Sequence, residues 1–136
     1  MKRWAIPAIG LLASLGASPA MAQFDGGGRV GDYLDLVAAT DSGAGRLEIA
    51  GVCASACTLK LGARGACVHA DARLLFHAAR NADGRIDRLG TLMMLHEYPA
   101  RVRAWARRRG ALESQDFTAM SGQEAIALGV PDCGRR

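Results

Sequence analysis

The stretch Gly51-Val52-Cys53-Ala54-Ser55-Ala56-Cys57 decides how the rest of the chain is interpreted, because it surrounds one serine with small side chains. Alternating residues 46–50 precede it and predict a short strand, and residues 58–61 follow it and predict a helix. Small side chains allow a strand to turn sharply into a helix, which pushes the serine hydroxyl outward and points the next backbone N–H at a developing oxyanion. The stretch therefore predicts a strand–turn–helix unit that presents Ser55.

Strands and helices alternate on either side of this unit. Apolar residues at helical spacing predict a helix over residues 29–40, and Asp25-Gly26-Gly27-Gly28 before it predicts a flexible turn. Further strands are predicted at residues 66–68 and 73–77, and further helices around residues 92–96, 99–110 and 124–128. This alternation predicts an α/β fold with a small, largely parallel sheet and flanking helices.

The amino-terminal 22 residues have the three regions of a signal peptide in order. Met1-Lys2-Arg3 is positively charged, an apolar run extends from Trp4 to Leu15, and Ala20-Met21-Ala22 forms a small-x-small cleavage site. The apolar run is shorter than the roughly 20 residues of a membrane-spanning helix, which disfavours the alternatives of a membrane anchor or a core helix. We therefore expect residues 23–136 to form one domain that is periplasmic or secreted.

The charge of the chain points to no particular partner. The formal net charge is +4, and removal of Lys2 and Arg3 with the signal peptide lowers it by two. So small an excess does not predict nucleic-acid binding. After the signal peptide, no segment is long and apolar enough to predict a membrane span.

The four cysteines lie beyond the predicted cleavage site, at Cys53, Cys57, Cys67 and Cys133. An even number of cysteines in an exported domain predicts two disulfides, for which three pairings exist. A zinc site is the weaker alternative, because the chain contains no C-x-x-C pair. Our working assignment pairs Cys53 with Cys133 and Cys57 with Cys67. A bridge from Cys133 would tie the carboxyl terminus to the core.

Ser55 and His77 form the candidate catalytic pair. His77 ends the apolar run Arg73-Leu74-Leu75-Phe76, so it lies where a buried strand leaves the sheet toward a neighbouring strand–helix turn. Exported hydrolases use a serine hydroxyl together with a histidine base. The competing interpretation is structural, with a small serine packed among alanines and a histidine without a catalytic role.

Four segments in order resemble the Clp protease proteolytic subunit (ClpP), within the ClpP/crotonase-like superfamily. Residues 51–57 are similar to its nucleophile turn, and residues 62–77 are similar to the segment that leads to its catalytic histidine. Residues 121–130 resemble its closing helix, and Gly27-Gly28 resembles the glycine pair of its oxyanion hole. The chain looks closest to small exported proteins of this kind with a G-x-C-x-S-A-C signature and a terminal cysteine.

This resemblance implies a serine hydrolase, most simply a peptidase acting on peptide or protein substrates. It assigns Ser55 as nucleophile, His77 as general base and Asp116 as the acid that orients the imidazole. The backbone N–H groups of Gly28 and Ala56 would form the oxyanion hole. Neither a metal nor another cofactor is required by this chemistry.

Two departures from the family, the missing first strands and the displaced acid, favour the alternative of a non-catalytic ClpP-fold module with a binding or envelope-structural role. The domain begins almost at the glycine pair, so the fold is truncated and lacks the family's first strands. Asp116 lies one residue too far from Glu124, and the segment between histidine and acid is too short to imply the family's ring. The missing strands expose a sheet edge, which predicts self-association into a homo-oligomer.

Overall fold

Residues 23–135 are described by a computed structural model of the chain, and they fold into six short strands and five helices. The predicted signal peptide, residues 1–22, lies outside the described residues, as does Arg136. The elements follow one another as β1 (Phe24–Asp25), α1 (Val30–Ser42), β2 (Leu47–Ile49), β3 (Val52–Ala54), a 3₁₀ helix (Ser55–Gly62), β4 (Ala66–Val68), β5 (Arg73–Phe76), α2 (Arg88–Glu97), α3 (Ala100–Arg109), β6 (Thr118–Ser121) and α4 (Gly122–Ala127).

The larger sheet has four strands in the order β1-β3-β5-β6. Strand β3 pairs in parallel with β1 and β5, whereas β6 pairs antiparallel with β5. A second, two-stranded sheet pairs β2 and β4 in parallel. The predicted α/β fold with a small, largely parallel sheet is therefore confirmed.

Three strands of the larger sheet were not predicted from the sequence. Val52–Ala54 lies within the stretch 51–57, for which we predicted a turn, and it forms the inner strand β3. Phe24 and Asp25, expected near a flexible turn, pair with Val52 and Cys53 as edge strand β1. Thr118–Ser121 forms the opposite edge strand, β6. None of these segments alternates polar and apolar residues over enough positions to predict a strand, so each is specified mainly by the strand beside it.

The predicted helices are present, and their ends have identifiable signals. The Asp87 side chain accepts a hydrogen bond from the Gly90 N–H at the start of α2, and Gly110 ends α3 in the left-handed region at φ +60°. Ser121 and Glu124 form a capping box at the start of α4. Within residues 23–135, no helix has both the length and the apolar character needed to cross a membrane.

The core lies between the larger sheet and helices α2 and α3. Phe76 at the end of β5 packs against Tyr98 and Trp105, with ring centroids 5.5 and 5.2 Å apart. All three rings are buried, as are Leu74 and Met120 on the paired strands β5 and β6. This packing fixes the end of β5, from which residue 77 leaves the sheet.

Two disulfides are present, as predicted, but the pairing we assigned from the sequence is wrong. Cys53 bonds to Cys57, with Cα atoms 5.4 Å apart, and Cys67 bonds to Cys133, with Cα atoms 4.9 Å apart. The sharp turn at residue 55 brings the first pair together. The second pair meets because the backbone of β4 exchanges hydrogen bonds with residues 131 and 133. The carboxyl-terminal segment is thereby tied to the core, though through Cys67 rather than Cys53.

We predict that the two disulfides contribute unequally to stability. The Cys67–Cys133 bond spans 66 residues and the Cys53–Cys57 bond only 4. Chain-entropy arguments then give losses of about 4 kcal/mol for Cys67→Ala/Cys133→Ala and about 2 kcal/mol for Cys53→Ala/Cys57→Ala. Urea unfolding of the two double variants and the parent protein measures both values. A larger loss from removing the short bridge would contradict this order.

Candidate functional site

Ser55 occupies a backbone conformation that is unfavourable for a residue with a side chain. It follows β3 directly, begins the 3₁₀ helix and has φ +59°. Within residues 23–135, Ala44 is the other non-glycine residue with positive φ, and it lies in an exposed turn after α1. A strained residue at a strand–helix junction is a feature of sites that present a nucleophile.

A close backbone contact and a disulfide hold the Ser55 turn, which we define as residues 53–57. Gly27 packs so closely that a Cβ atom placed on it would lie 2.8 Å from the Cβ of Ser55 and 2.9 Å from the Ala56 nitrogen. The Cys53–Cys57 disulfide joins the two ends of the turn. The small residues that dominate this segment are therefore required by the close approach of two backbones.

A buried hydrogen-bond chain supports the turn from below. The Thr58 hydroxyl donates to the Ser55 carbonyl at 2.7 Å, and the Tyr98 hydroxyl, 2.6 Å away, donates in turn to Thr58. Both side chains are buried, and burial raises the pKa of Tyr98 well above its ordinary value. The chain joins the start of the 3₁₀ helix to the end of α2, and sequence reasoning missed both residues.

Asp25 fixes the glycine loop that faces Ser55. Its carboxylate accepts hydrogen bonds from the Gly27 N–H at 3.0 Å, from the Tyr33 hydroxyl at 2.5 Å and from the Lys60 ammonium at 2.7 Å. Burial opposes ionisation, but these hydrogen bonds, led by Lys60, lower the pKa of Asp25 below 3.8. Burial and the Asp25 carboxylate raise the pKa of Tyr33 to about 12. One side chain thus connects β1, α1 and the 3₁₀ helix.

One ring nitrogen of His77 is held by the backbone. Its side chain is only 7% exposed, and Nδ1 lies 2.6 Å from the Ala78 carbonyl oxygen. Because a carbonyl only accepts, Nδ1 donates this hydrogen bond, and in the neutral ring Nε2 then has the lone pair that a general base requires. A backbone carbonyl therefore performs the orienting role that the sequence assigned to a carboxylate.

The structure does not bring Asp116 to the imidazole. Asp116 is exposed, and its carboxylate makes no hydrogen bond or ion pair with another residue of the range 23–135. The β5–β6 register pairs Phe76 with Thr118, so the neighbouring residue Phe117 lies beside His77. Its ring centroid is 5.0 Å from that of the imidazole, in an edge-on arrangement. An aromatic ring occupies the place where we expected the acid.

A cavity of about 560 Å³ is lined by Ser55 and His77 together with Gly28 and Phe117. The backbone N–H groups of Gly28 and Ala56 make no hydrogen bond within residues 23–135, so both can donate to an incoming oxygen. The Ser55 hydroxyl and the His77 ring are not hydrogen-bonded to each other in this state. The site therefore has the parts of an acyl-transfer centre, with the contact between serine and histidine unmade.

A second group of polar side chains lies outside the lining of this cavity. Ligand atoms of Glu48, His69 and Cys133 lie within 4.8 Å of one another, and His69 Nε2 is 3.1 Å from the Glu48 carboxylate. Cys133 is bonded to Cys67, so its sulfur is not a thiolate. In this oxidised form the group lacks the soft ligand that a zinc site with cysteine needs.

Comparison of the chain with known protein families, with curated proteins and with solved structures finds no match.

We predict that Gly27→Ala disrupts the site. An added Cβ would lie 2.6 Å from the Ala54 carbonyl oxygen, and the residue has φ +83°. Gly129→Ala is the matched control, because Gly129 has φ +96° with open space around it. We expect the control to lose about 1 kcal/mol of unfolding free energy and Gly27→Ala several times more. Equal losses of unfolding free energy in the two variants, measured by thermal unfolding, would show that the contact with the Ser55 turn does not contribute to stability.

We also predict that Asp25 makes stability dependent on pH in the acid range. Its pKa is lowered in the folded state, so its contribution is present above the unfolded pKa and is lost as the pH falls through the lowered folded value. The stability difference between the parent protein and Asp25→Asn should therefore shrink as the pH falls from about 5 to about 2. Urea unfolding at each pH measures this difference, and Asp35→Asn, at an exposed position on α1, is the control variant.

Proposed function

We propose that this protein is a ClpP-like serine hydrolase, most simply a peptidase, in which Ser55 is the nucleophile and His77 the general base. The observation that carries the proposal is the left-handed Ser55 at φ +59°, held between β3 and the 3₁₀ helix and facing a cavity that it shares with His77. A structural serine has no need of this conformation, since glycine would adopt it without strain.

In the proposed reaction, the Ser55 hydroxyl transfers its proton to His77 Nε2 as its oxygen attacks the substrate carbonyl carbon. The carbonyl oxygen becomes an oxyanion and accepts hydrogen bonds from the free N–H groups of Gly28 and Ala56. The protonated imidazole then gives its proton to the leaving group, which departs and leaves an acyl-serine that water hydrolyses. The Ala78 carbonyl holds the ring during both transfers.

The environment we propose is the periplasm or the exterior of the cell. Two disulfides and no free cysteine within residues 23–135 are typical of a protein that matures in an oxidising compartment. The predicted signal peptide would direct the chain there.

The second candidate function is a non-catalytic binding or envelope-structural module. The observation that favours it is that the His77 ring is hydrogen-bonded to neither the Ser55 hydroxyl nor the Asp116 carboxylate. The apo states of hydrolases also show loose catalytic contacts that tighten on binding, so activity has to decide between the two candidates.

We predict that a fluorophosphonate probe labels the oxidised protein on Ser55. Ser55→Ala should abolish labelling, and His77→Ala should slow it at least about 100-fold, because the hydroxyl then has no base. Asp116→Ala should label within about twofold of the parent protein, because the Ala78 carbonyl orients the ring. Gel fluorescence and peptide mapping measure rate and position.

Ser42→Ala is the matched control for this experiment, because Ser42 is an exposed serine at the end of α1. Its labelling should equal that of the parent protein. Labelling that persists in Ser55→Ala would move the nucleophile elsewhere. Absence of labelling in folded, oxidised protein would favour the non-catalytic module.

A further inference from the structure

The cavity that contains Ser55 has a positively charged lining. Arg29 and Arg80 lie on its wall together with His77, and no aspartate or glutamate lines it. Neither guanidinium forms a salt bridge or hydrogen bond with any residue between 23 and 135. Two arginines without a counter-charge on the wall of one concave site raise the local concentration of anions.

The backbone around Arg80 is held in place by its own turn. Arg80 and Ile86 form an antiparallel bridge, and the Asn81 side-chain oxygen accepts hydrogen bonds from the backbone of Asp83 and Arg85. The Gln115 side chain also donates to the Gly84 carbonyl at 2.8 Å. The turn therefore fixes the backbone position from which the Arg80 side chain extends.

Arg29 also lies on the wall of the cavity that contains Ser55. It directly follows the glycine loop and caps the start of α1, where its carbonyl accepts hydrogen bonds from Asp32 and Tyr33. The unpaired N–H groups at the start of the helix add positive potential there, and the Asp32 carboxylate in the same turn offsets part of it.

Two carboxylates near these arginines make other contacts. Asp87 lines an adjoining cavity that shares Arg29 and Arg80, but it accepts a hydrogen bond from the Gly90 N–H at the start of α2. Asp25 is paired with Lys60. Neither carboxylate forms an ion pair with Arg29 or Arg80.

We infer that the substrate carries an anionic group, a carboxylate or a phosphate, which Arg29 and Arg80 bind while the acyl carbon lies at Ser55. This inference rests on the proposed hydrolase function and adds the class of substrate. Arginine forms paired, charge-assisted hydrogen bonds with both kinds of anion, so the shared chemistry is the negative charge with coplanar or clustered oxygens.

The first test compares two esters of matched chain length, mono-para-nitrophenyl adipate and para-nitrophenyl hexanoate. The parent protein should show a higher kcat/KM for the anionic ester, and Arg29→Gln/Arg80→Gln should lower the ratio of the two values at least about tenfold. Arg101→Gln/Arg108→Gln removes the same charge from exposed positions of α3 and should leave the ratio unchanged. Equal ratios in all three proteins would overturn the inference while hydrolysis itself stands.

The second test measures binding without catalysis. Calorimetric titration of Ser55→Ala with adipate and, separately, with inorganic phosphate should detect binding of at least one anion, weakened at least about tenfold when Arg29→Gln/Arg80→Gln is added. Binding of adipate would identify the anionic group of the substrate as a carboxylate, and binding of phosphate would identify it as a phosphate. Arginine-dependent binding without hydrolysis of either ester would refute the hydrolase and support the anion site. Binding of neither anion would overturn the inference.

Discussion

The sharp turn at Ser55 is the constraint on which the rest of the site depends. A side chain at φ +59° is unfavourable in isolation, so the surrounding contacts must offset its cost. The Cys53–Cys57 bond closes the turn, Gly27 packs against its backbone, and Thr58 accepts the Tyr98 hydroxyl while donating to the Ser55 carbonyl. Three kinds of interaction therefore stabilise one dihedral angle.

The elements with the strongest local signals could be predicted from the sequence. Helix α1 has apolar residues at helical spacing, and Ser121 with Glu124 marks the start of α4 through a capping box. Strands β1 and β6 have two and four residues, and each exists because β3 or β5 offers it a ladder of hydrogen bonds. Such strands are specified by tertiary pairing, which no local pattern reveals.

The sequence pointed to Ser55 and His77 as candidate residues, but it did not reveal the groups that hold them in position. Ser55 and His77 line one cavity, as their positions after neighbouring strands suggested. The group that orients His77 is the Ala78 backbone carbonyl, and a carbonyl has no sequence signature. The cysteine pairing depended on a turn tight enough to join residues 53 and 57, which spacing alone does not establish.

The Cys67–Cys133 bond closes a covalent loop that contains His77 and Tyr98 but excludes Ser55. A single backbone cut within this loop leaves both pieces in one molecule until the bond is reduced. Ser55 precedes this loop and His77 lies within it, and the two residues are brought together by the pairing of Ala54 with Leu75 and by the Thr58–Tyr98 hydrogen bond. The relative position of Ser55 and His77 therefore depends on non-covalent packing between the disulfide-closed loop and the segment that precedes it.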